Sequence, residues 1–139
     1  GMEEGFRGRA ARVTELLASD AAAFVLVASP RSDTVAEALF FADKLADAEI
    51  KVQGLVVNRL HPRFEEPPRA LPPPSSGPLA VFEANLADFT AVAAREESNL
   101  AVLAERVAPA PLARVPFLAG DVHDLEGLGE VAGHLFGPG

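Results

Sequence analysis

Two short apolar runs end abruptly at residues that could recognise a ligand. The first, residues 54–59 (GLVVNR), ends at Asn58 and Arg59, and the second, residues 114–121 (RVPFLAGD), ends at Asp121. A buried parallel strand shows this pattern when its carboxyl end opens into a ligand crevice. In nucleotide-binding α/β proteins, such a crevice can hold a base between an Asn amide and a backbone loop. The two runs therefore predict a binding site at one edge of a parallel sheet.

The motif that performs phosphoryl transfer in P-loop enzymes is missing from the sequence. No Gly-rich loop ending in Gly-Lys-Ser or Gly-Lys-Thr occurs among the 139 residues, and that loop is what cradles the phosphates. The histidines at 61, 123 and 134 are too scattered to indicate one metal site. His123 has acidic neighbours, but no nucleophile accompanies it. We therefore predict no catalytic residue and no metal site in this chain.

The polar candidates also have simpler structural interpretations. Asn is a residue type that commonly ends a strand in a turn, as Asn58 could do. Arg59 could stack on a base or meet a phosphate, but it is also typical of a solvated surface. Ser29, which ends an earlier apolar run, could touch a ligand or serve as a turn hydroxyl. The acidic pairs at 65–66 and 96–97 are interpreted as solvated charge.

Composition restricts the class of protein. The chain is 49% hydrophobic, its aromatic residues are all Phe, and its net charge is -8. This length suits one domain, residues 1–139, with a core of Val, Leu and Ala. The acidic balance disfavours nucleic acid and anionic lipid as partners. Without Cys, neither a disulfide nor a thiolate metal site can form.

The sequence also bears on cellular location. It has no apolar stretch of bilayer length and no signal-peptide pattern, so we expect a cytoplasmic domain that does not insert into a membrane. Gly1 before Met2 is interpreted as an expression scar, with Met2 as a possible true start.

Apolar periodicity predicts the first elements. Residues 3–19 have helical spacing, and residues 24–28 (FVLVA) form a short apolar strand that ends before Pro30. Thr34 and Glu37 predict a capping box for a second helix, whose apolar face comprises Val35, Ala38, Leu39, Ala42 and Leu45. A strand over 52–57 follows. This βαβ unit predicts two parallel strands, and their continuous apolar character predicts that both sheet faces are covered.

The second half of the chain begins with a proline-rich stretch. Residues 61–78 carry seven prolines and are predicted to be a loop. A near-heptad apolar seam then runs from 79 to 107, interrupted at Glu96. It predicts either one long helix with a polar notch or a break near Ser98, and we expect it to pack on its own sheet rather than in a coiled coil. A third strand over 112–118 and a last helix capped by Asp124 complete the series.

These elements predict an α/β fold, a small three-layer parallel sheet of about three strands with helices on both faces. In order along the chain, the residues also resemble a known family. Ser29-Pro30, the helix with Glu37, the run 54–59 and the run 115–121 with Leu125 and Leu128 resemble the C-terminal half of the anion-transporting (arsenite-pump) ATPases. That family includes the ATPase that targets tail-anchored membrane proteins. The resemblance is greatest to bacterial members, with equivalents of Phe40-Phe41-Ala42 and of 57–62 (VNRLHP).

The resemblance implies a partial P-loop-NTPase-type fold, an ATP or ADP ligand and dimerisation around nucleotide. Its Asn, here Asn58, would hydrogen-bond adenine, with Arg59 beside it. The loop after the last strand would flank the base; here its candidate contact residues are Pro116, Phe117, Leu118, Gly120 and Asp121. An Asn amide offers both the donors and the acceptor that the adenine edge requires.

The chain also departs from the family. The phosphate-binding loop, the switch carboxylates and the Walker-B-like Asp belong to the family's N-terminal half, and none is present here. The paired Cys that bind zinc in the targeting members are absent as well. We therefore expect no hydrolysis by this chain alone, and magnesium binding only with an N-terminal half.

Two functions from different classes follow. The first is an adenine-recognising, dimer-forming C-terminal part of such an ATPase, whose partners are adenine nucleotide and either a second copy or an N-terminal catalytic half. The second is a non-catalytic oligomerisation or protein-interaction module that binds no nucleotide and uses the apolar seam at 79–107. A receiver-type signalling domain is disfavoured, because the first two strands do not end in the acidic cluster that such a domain needs.

Overall fold

The chain forms an α/β fold around a parallel sheet, as the sequence predicts. The computed structural model describes residues 2–63 and 78–137. The elements in chain order are α1 (Met2–Leu17), β1 (Phe24–Ala28), α2 (Ser32–Asp47), β2 (Val52–Leu60), α3 (Pro78–Arg106), β3 (Leu112–Pro116) and α4 (Leu125–Phe136). Within the described residues the strands form one sheet in the order β1-β2-β3, and both neighbouring pairs are parallel.

The hydrophobic core lies on one face of this sheet. Helices α2 and α3 pack against each other there and bury alternate residues of β1 and β2. Leu55 and Val57 point from the central strand into this layer and meet Leu100 and Leu103 of α3. Burying side chains of this size stabilises the fold by about 1.5–3 kcal/mol each. The parallel strands are therefore held mainly by α2 and α3.

The opposite face is covered only in part. Helix α4 packs on β3, but Val25 and Val27 of β1 are 56% and 63% exposed on this side. The prediction of helices on both faces is thus confirmed, and on this side the cover over β1 is partial. Every described side chain of α1 is also exposed. A strip of apolar sheet therefore faces solvent beside α4.

The start of α2 differs from the prediction. The helix begins at Ser32, two residues before the expected cap, and its N-cap Arg31 makes no side-chain capping hydrogen bond. The Thr34 hydroxyl lies 2.6 Å from the Ser29 hydroxyl and 3.0 Å from the Arg31 carbonyl oxygen. Because this hydroxyl is occupied at the β1 exit, Thr34 and Glu37 do not form a capping box. The predicted buried face of α2 is correct, apart from Leu39, which is half-buried.

Helix ends elsewhere follow local chemistry. At the end of α2, the Ile50 N–H donates to the Leu45 carbonyl and Glu49 adopts a φ of 60°, which together form a Schellman motif. Asp124 caps α4 as predicted, its Oδ1 accepting from the Gly127 N–H at 2.8 Å. Helix α3 is one continuous helix, and Ser98 donates to the Ala94 carbonyl within it rather than breaking it.

Two strands end at other residues than predicted. The second strand extends to Leu60, three residues beyond the prediction, and the third ends at Pro116, two residues before it. Of the predicted proline-rich loop, residues 61–63 are irregular, Pro78 begins α3, and 64–77 lie outside the described residues. Among the described helices, none is both long enough and apolar enough to cross a bilayer.

Candidate functional site

A bulge at the carboxyl end of β2 turns two consecutive side chains to the same side of the sheet. Asn58 pairs with Val115 and Leu60 pairs with Pro116, so Arg59 is an extra residue in β2. Its φ of 66° is left-handed, a conformation that costs a non-glycine residue about 1–2 kcal/mol. As a result Asn58 and Arg59 are both exposed, while Leu60 returns to the core.

The two side chains face a cleft of about 440 Å³ on the partly covered side of the sheet. Its floor is apolar and comes from all three strands, through Val27, Val56 and Val115. The loop after β3 forms one wall and α4 forms another, with Leu128 among its contributions. The cleft thus lies at the carboxyl ends of the strands, where open α/β sheets place their ligands.

Six of the seven ligand residues expected from sequence line this one cleft. They are Asn58, Arg59, Phe117, Leu118, Gly120 and Asp121. Pro116 is the exception, since it lines a different hollow with His61 and Arg63. Strand alternation explains the difference, because Pro116 pairs with Leu60 and therefore shares the opposite side of the sheet.

The Arg59 guanidinium and the Phe117 ring lie together at one end of the cleft. The Arg59 guanidinium carbon lies 5.4 Å from the centre of the Phe117 ring, which is cation–π distance. The Phe117 N–H donates to the Leu60 carbonyl at 2.7 Å, which continues the β2–β3 ladder one residue past the end of β3. This hydrogen bond fixes the backbone from which the phenyl ring projects into the cleft.

Two further polar groups near the cleft have structural partners. Ser29 shares a 2.6 Å hydrogen bond with Thr34, which agrees with its interpretation as a turn hydroxyl. His123 Nδ1 lies 2.7 Å from the Asp121 carbonyl oxygen and donates to it, since a carbonyl only accepts. This contact shapes the loop that carries Asp121 and gives His123 a structural role.

The structure overturns the interpretation of Glu96 and Glu97 as solvated charge. Glu96 is 8% exposed, and both of its oxygens bind His61: Oε1 lies 2.7 Å from Nδ1, and Oε2 accepts from the backbone N–H at 2.9 Å. The sequence carried one signal of this, because Glu96 interrupts an otherwise apolar seam. A polar residue in a buried stripe is expected to have a specific partner.

Glu97 joins two arginines at the edge of the same region. Its Oε2 lies 2.8 Å from Arg63 and its Oε1 lies 3.1 Å from Arg114. Partial burial alone raises the pKa of Glu97, but the hydrogen bonds and charges of Arg63 and Arg114 outweigh it and leave that pKa below its ordinary value. Glu97 therefore ties α3 to β3 and to the segment after β2.

The side chains that line the cleft are of types that can recognise a ligand. It offers an apolar floor, an aromatic ring with a guanidinium, an amide and a carboxylate. Among the described residues that line it there is no Ser, Thr, Lys or His, and Asp121 is the one side chain that could act as a general base. A planar ligand with a hydrogen-bonding edge matches these groups.

Comparisons with known proteins do not assign the chain to a family. No protein-family model matches the sequence, and no curated protein matches it either.

Proposed function

We propose that this chain is the adenine-recognising and dimer-forming C-terminal part of an anion-transporting-type ATPase. In this proposal the cleft binds the base of ATP or ADP in the cytoplasm. The phosphate-binding loop and magnesium belong to an N-terminal half that the sequence does not contain, so the chain alone does not hydrolyse ATP. The resemblance of the two strand-end motifs to that family supports this proposal.

One structural observation supports it most. The bulge at Arg59 places the Asn58 amide and the Arg59 guanidinium side by side over an apolar floor, next to Phe117. The amide supplies a donor and an acceptor for the base edge, and the planar Arg59 guanidinium, held over the Phe117 ring, supplies a face for stacking. Edge and face recognition together are what a nucleotide base requires.

The first test is a titration of the purified chain with a fluorescent ADP analogue. Asn58→Ala should weaken binding about three- to tenfold, the equivalent of one or so neutral hydrogen bonds. Gln53→Ala is the matched control, because Gln53 is an exposed amide at the other end of β2 and lines another hollow. Equal affinity of Asn58→Ala and the unchanged chain would contradict the assignment of the amide to the base.

A second candidate function, an interaction module without nucleotide, is favoured by the first half of α3. The C-terminal part of the predicted seam packs into the core, whereas Leu79 and Phe82 are 65% and 69% exposed and Phe89 is 48% exposed. These residues and the half-buried Leu86 form an apolar stripe at helical spacing. Such a stripe suits a second copy or a client helix.

The two candidates differ in what controls assembly. If the stripe mediates assembly, Phe82→Asp should return an oligomer to the monomer mass whether or not nucleotide is present. Val102→Asp should not, since Val102 is an exposed residue of α3 outside the stripe. A mass that responds to ADP and to Asn58→Ala, but not to Phe82→Asp, would favour the ATPase-type proposal. Light scattering measures the mass of each variant with and without ADP.

A further inference from the structure

A buried carboxylate and an imidazole lie behind the wall of the cleft. Of the charged side chains in the described residues, Glu96 is the one that is buried. Because an ionised carboxylate only accepts, His61 Nδ1 donates to Oε1 and the His61 backbone N–H donates to Oε2. The two contacts fix both the tautomer and the orientation of the imidazole, as carboxylate partners of histidine do elsewhere.

The imidazole in turn contacts aromatic rings. Its centre lies 6.0 Å from that of Phe117, with an angle of 20° between the rings, and 6.3 Å from that of Phe89 at 36°. Phe117 also carries the Arg59 guanidinium. We call Phe89, His61, Phe117 and Arg59 the ring stack. It runs from α3 to the cleft, and only Phe117 and Arg59 of it line the cleft.

We propose that His61 is a positioning residue for the cleft: Glu96 holds the imidazole, and the imidazole sets the plane in which Phe117 and Arg59 meet a bound base. The inference rests on the proposed function, because it concerns how that base is stacked. It adds two residues, His61 and Glu96, that do not themselves line the cleft. Their effect on the ligand is transmitted through the Phe117 ring.

The proposal separates two kinds of selectivity. Stacking on the flat Arg59–Phe117 pair is nearly independent of which base is bound, because every base has a π face. Hydrogen bonding to the Asn58 amide depends on the edge of the base. Loss of His61 should therefore weaken adenine and guanine nucleotides alike, whereas loss of the Asn58 amide should weaken adenine nucleotides selectively.

The position of the ring can be measured without any ligand. The chain contains neither Trp nor Tyr, so Phe117→Trp introduces one indole that reports on this site alone. An imidazole stacked on an indole shields it from water, and indole emission moves to the red when the ring is exposed to water. In the Phe117→Trp background, His61→Ala should therefore shift the emission to the red, and His134→Ala, a histidine on α4 outside the ring stack, should not.

Substitution of Glu96 tests whether its carboxylate holds the imidazole in place. Glu96→Ala removes both acceptors and should move the indole emission in the same direction as His61→Ala. Glu96→Gln should restore most of the original emission, because an amide can accept from the backbone N–H and donate to the other imidazole tautomer. If Glu96 and His61 only stabilised the fold, the change in indole emission would follow the loss of stability in each variant. The free energy of unfolding of each variant is therefore measured in parallel.

Binding completes the experiment, with ADP and GDP as the probes. His61→Ala should weaken both about fivefold or more, the low end of what one stacked base contributes. Equal ADP affinity in His61→Ala and the unchanged chain, or unchanged indole emission in His61→Ala, would overturn the positioning role. Failure of the unchanged chain to bind either nucleotide would refute the proposed function and the ligand part of this inference, while the indole emission would still decide whether His61 sets the ring.

Discussion

The side chain of Glu96 accepts hydrogen bonds from two groups of one residue, His61, that is 35 positions away in sequence. This pairing joins α3 to the segment that leaves β2, close to the cleft. Burial of a carboxylate costs free energy unless both oxygens keep their hydrogen-bond donors, and the donors lose their acceptor if the carboxylate is removed. The local order of the site therefore rests on a contact between distant parts of the chain.

Glu96→Ala should lower the free energy of unfolding by about 2 kcal/mol. The substitution leaves the half-buried N–H groups of His61 without an acceptor, and hydrogen bonds to charged groups contribute in this range. Glu105→Ala, at an exposed position of the same helix, should change the free energy by less than about 0.5 kcal/mol. Urea unfolding measures both, and equal effects of the two substitutions would show that the buried contact is not stabilising.

The acid sensitivity of the fold should depend in part on Glu97. Its pKa in the folded chain is below the ordinary value of 4.5, so its contribution is complete above that value and is lost as the pH falls through the lower folded-state pKa. Glu97→Gln should therefore be less stable than the unchanged chain at pH 7, and the difference should shrink at pH values well below 4.5. A difference that is constant from pH 7 to acid would contradict the ion-pair account.

Not every residue of the site was accessible to sequence reasoning. The ends of the apolar runs indicated Asn58, Phe117 and Asp121, because strand ends in a parallel sheet meet at one edge. The left-handed conformation of Arg59 was not predictable, because Arg rarely adopts it and the turn-forming Asn58 lies one position earlier. The role of Glu96 was missed because its partner is remote in sequence.

At the scale of elements, periodicity predicted the type of each helix and strand, and tertiary contacts decided their ends. The cap of α4 was predicted because Asp124 and its partner Gly127 lie only three positions apart in sequence. The start of α2 was not, because the Thr34 hydroxyl is engaged by Ser29 from the preceding strand exit. Helix α3 continues through Ser98 because its C-terminal half is anchored in the core by Leu100 and Leu103.

Helix α4 is the weakest wall of the cleft. None of its side chains is buried, and it contains the interior glycines Gly129 and Gly133. A Cβ added at Gly129 would meet no atom within 4 Å. Gly129→Ala should therefore stabilise α4 by about 0.5–1 kcal/mol through helix propensity alone.

Amide hydrogen exchange measures this effect locally. The amides of α4 should exchange about two- to fivefold more slowly in Gly129→Ala, as that free energy implies, while those of the buried strand β2 should stay the same. Faster exchange in α4 would mean that Gly129 is needed for a contact with β3 rather than tolerated there.

At the scale of the whole molecule, one face of the described sheet is only partly covered. Among the described strands β1 lies at an edge, its Val25 and Val27 are exposed, and the apolar residues of α1 that include Phe6 and Val13 are exposed as well. Exposed edges and contiguous apolar surface favour association with another chain. The sequence predicted the layers but not this opening, because continuous apolar strands are typical of a sheet covered on both faces.

We expect the chain to self-associate, with an associated fraction that increases with protein concentration. Val25→Lys should reduce that association by placing a charge on the open sheet face, without altering the cleft lining. Val102→Lys adds the same charge at an equally exposed position of α3 and should leave association unchanged. Sedimentation velocity would read the mass against the monomer value of 14.5 kDa. A monomer at all concentrations would contradict the expected role of the β1 face.

The central claim, that the cleft receives an adenine base, is tested most directly by NMR. The measurement follows the side-chain amide of Asn58 and the backbone amides of Arg59, Phe117 and Asp121 while unlabelled ADP is added to the ¹⁵N-labelled chain. The account predicts saturable shifts of these signals, centred on the Asn58 amide, with Gln53 unchanged and with weaker shifts when GDP replaces ADP. Shifts that spread elsewhere on the surface, or none at millimolar ADP, would contradict it.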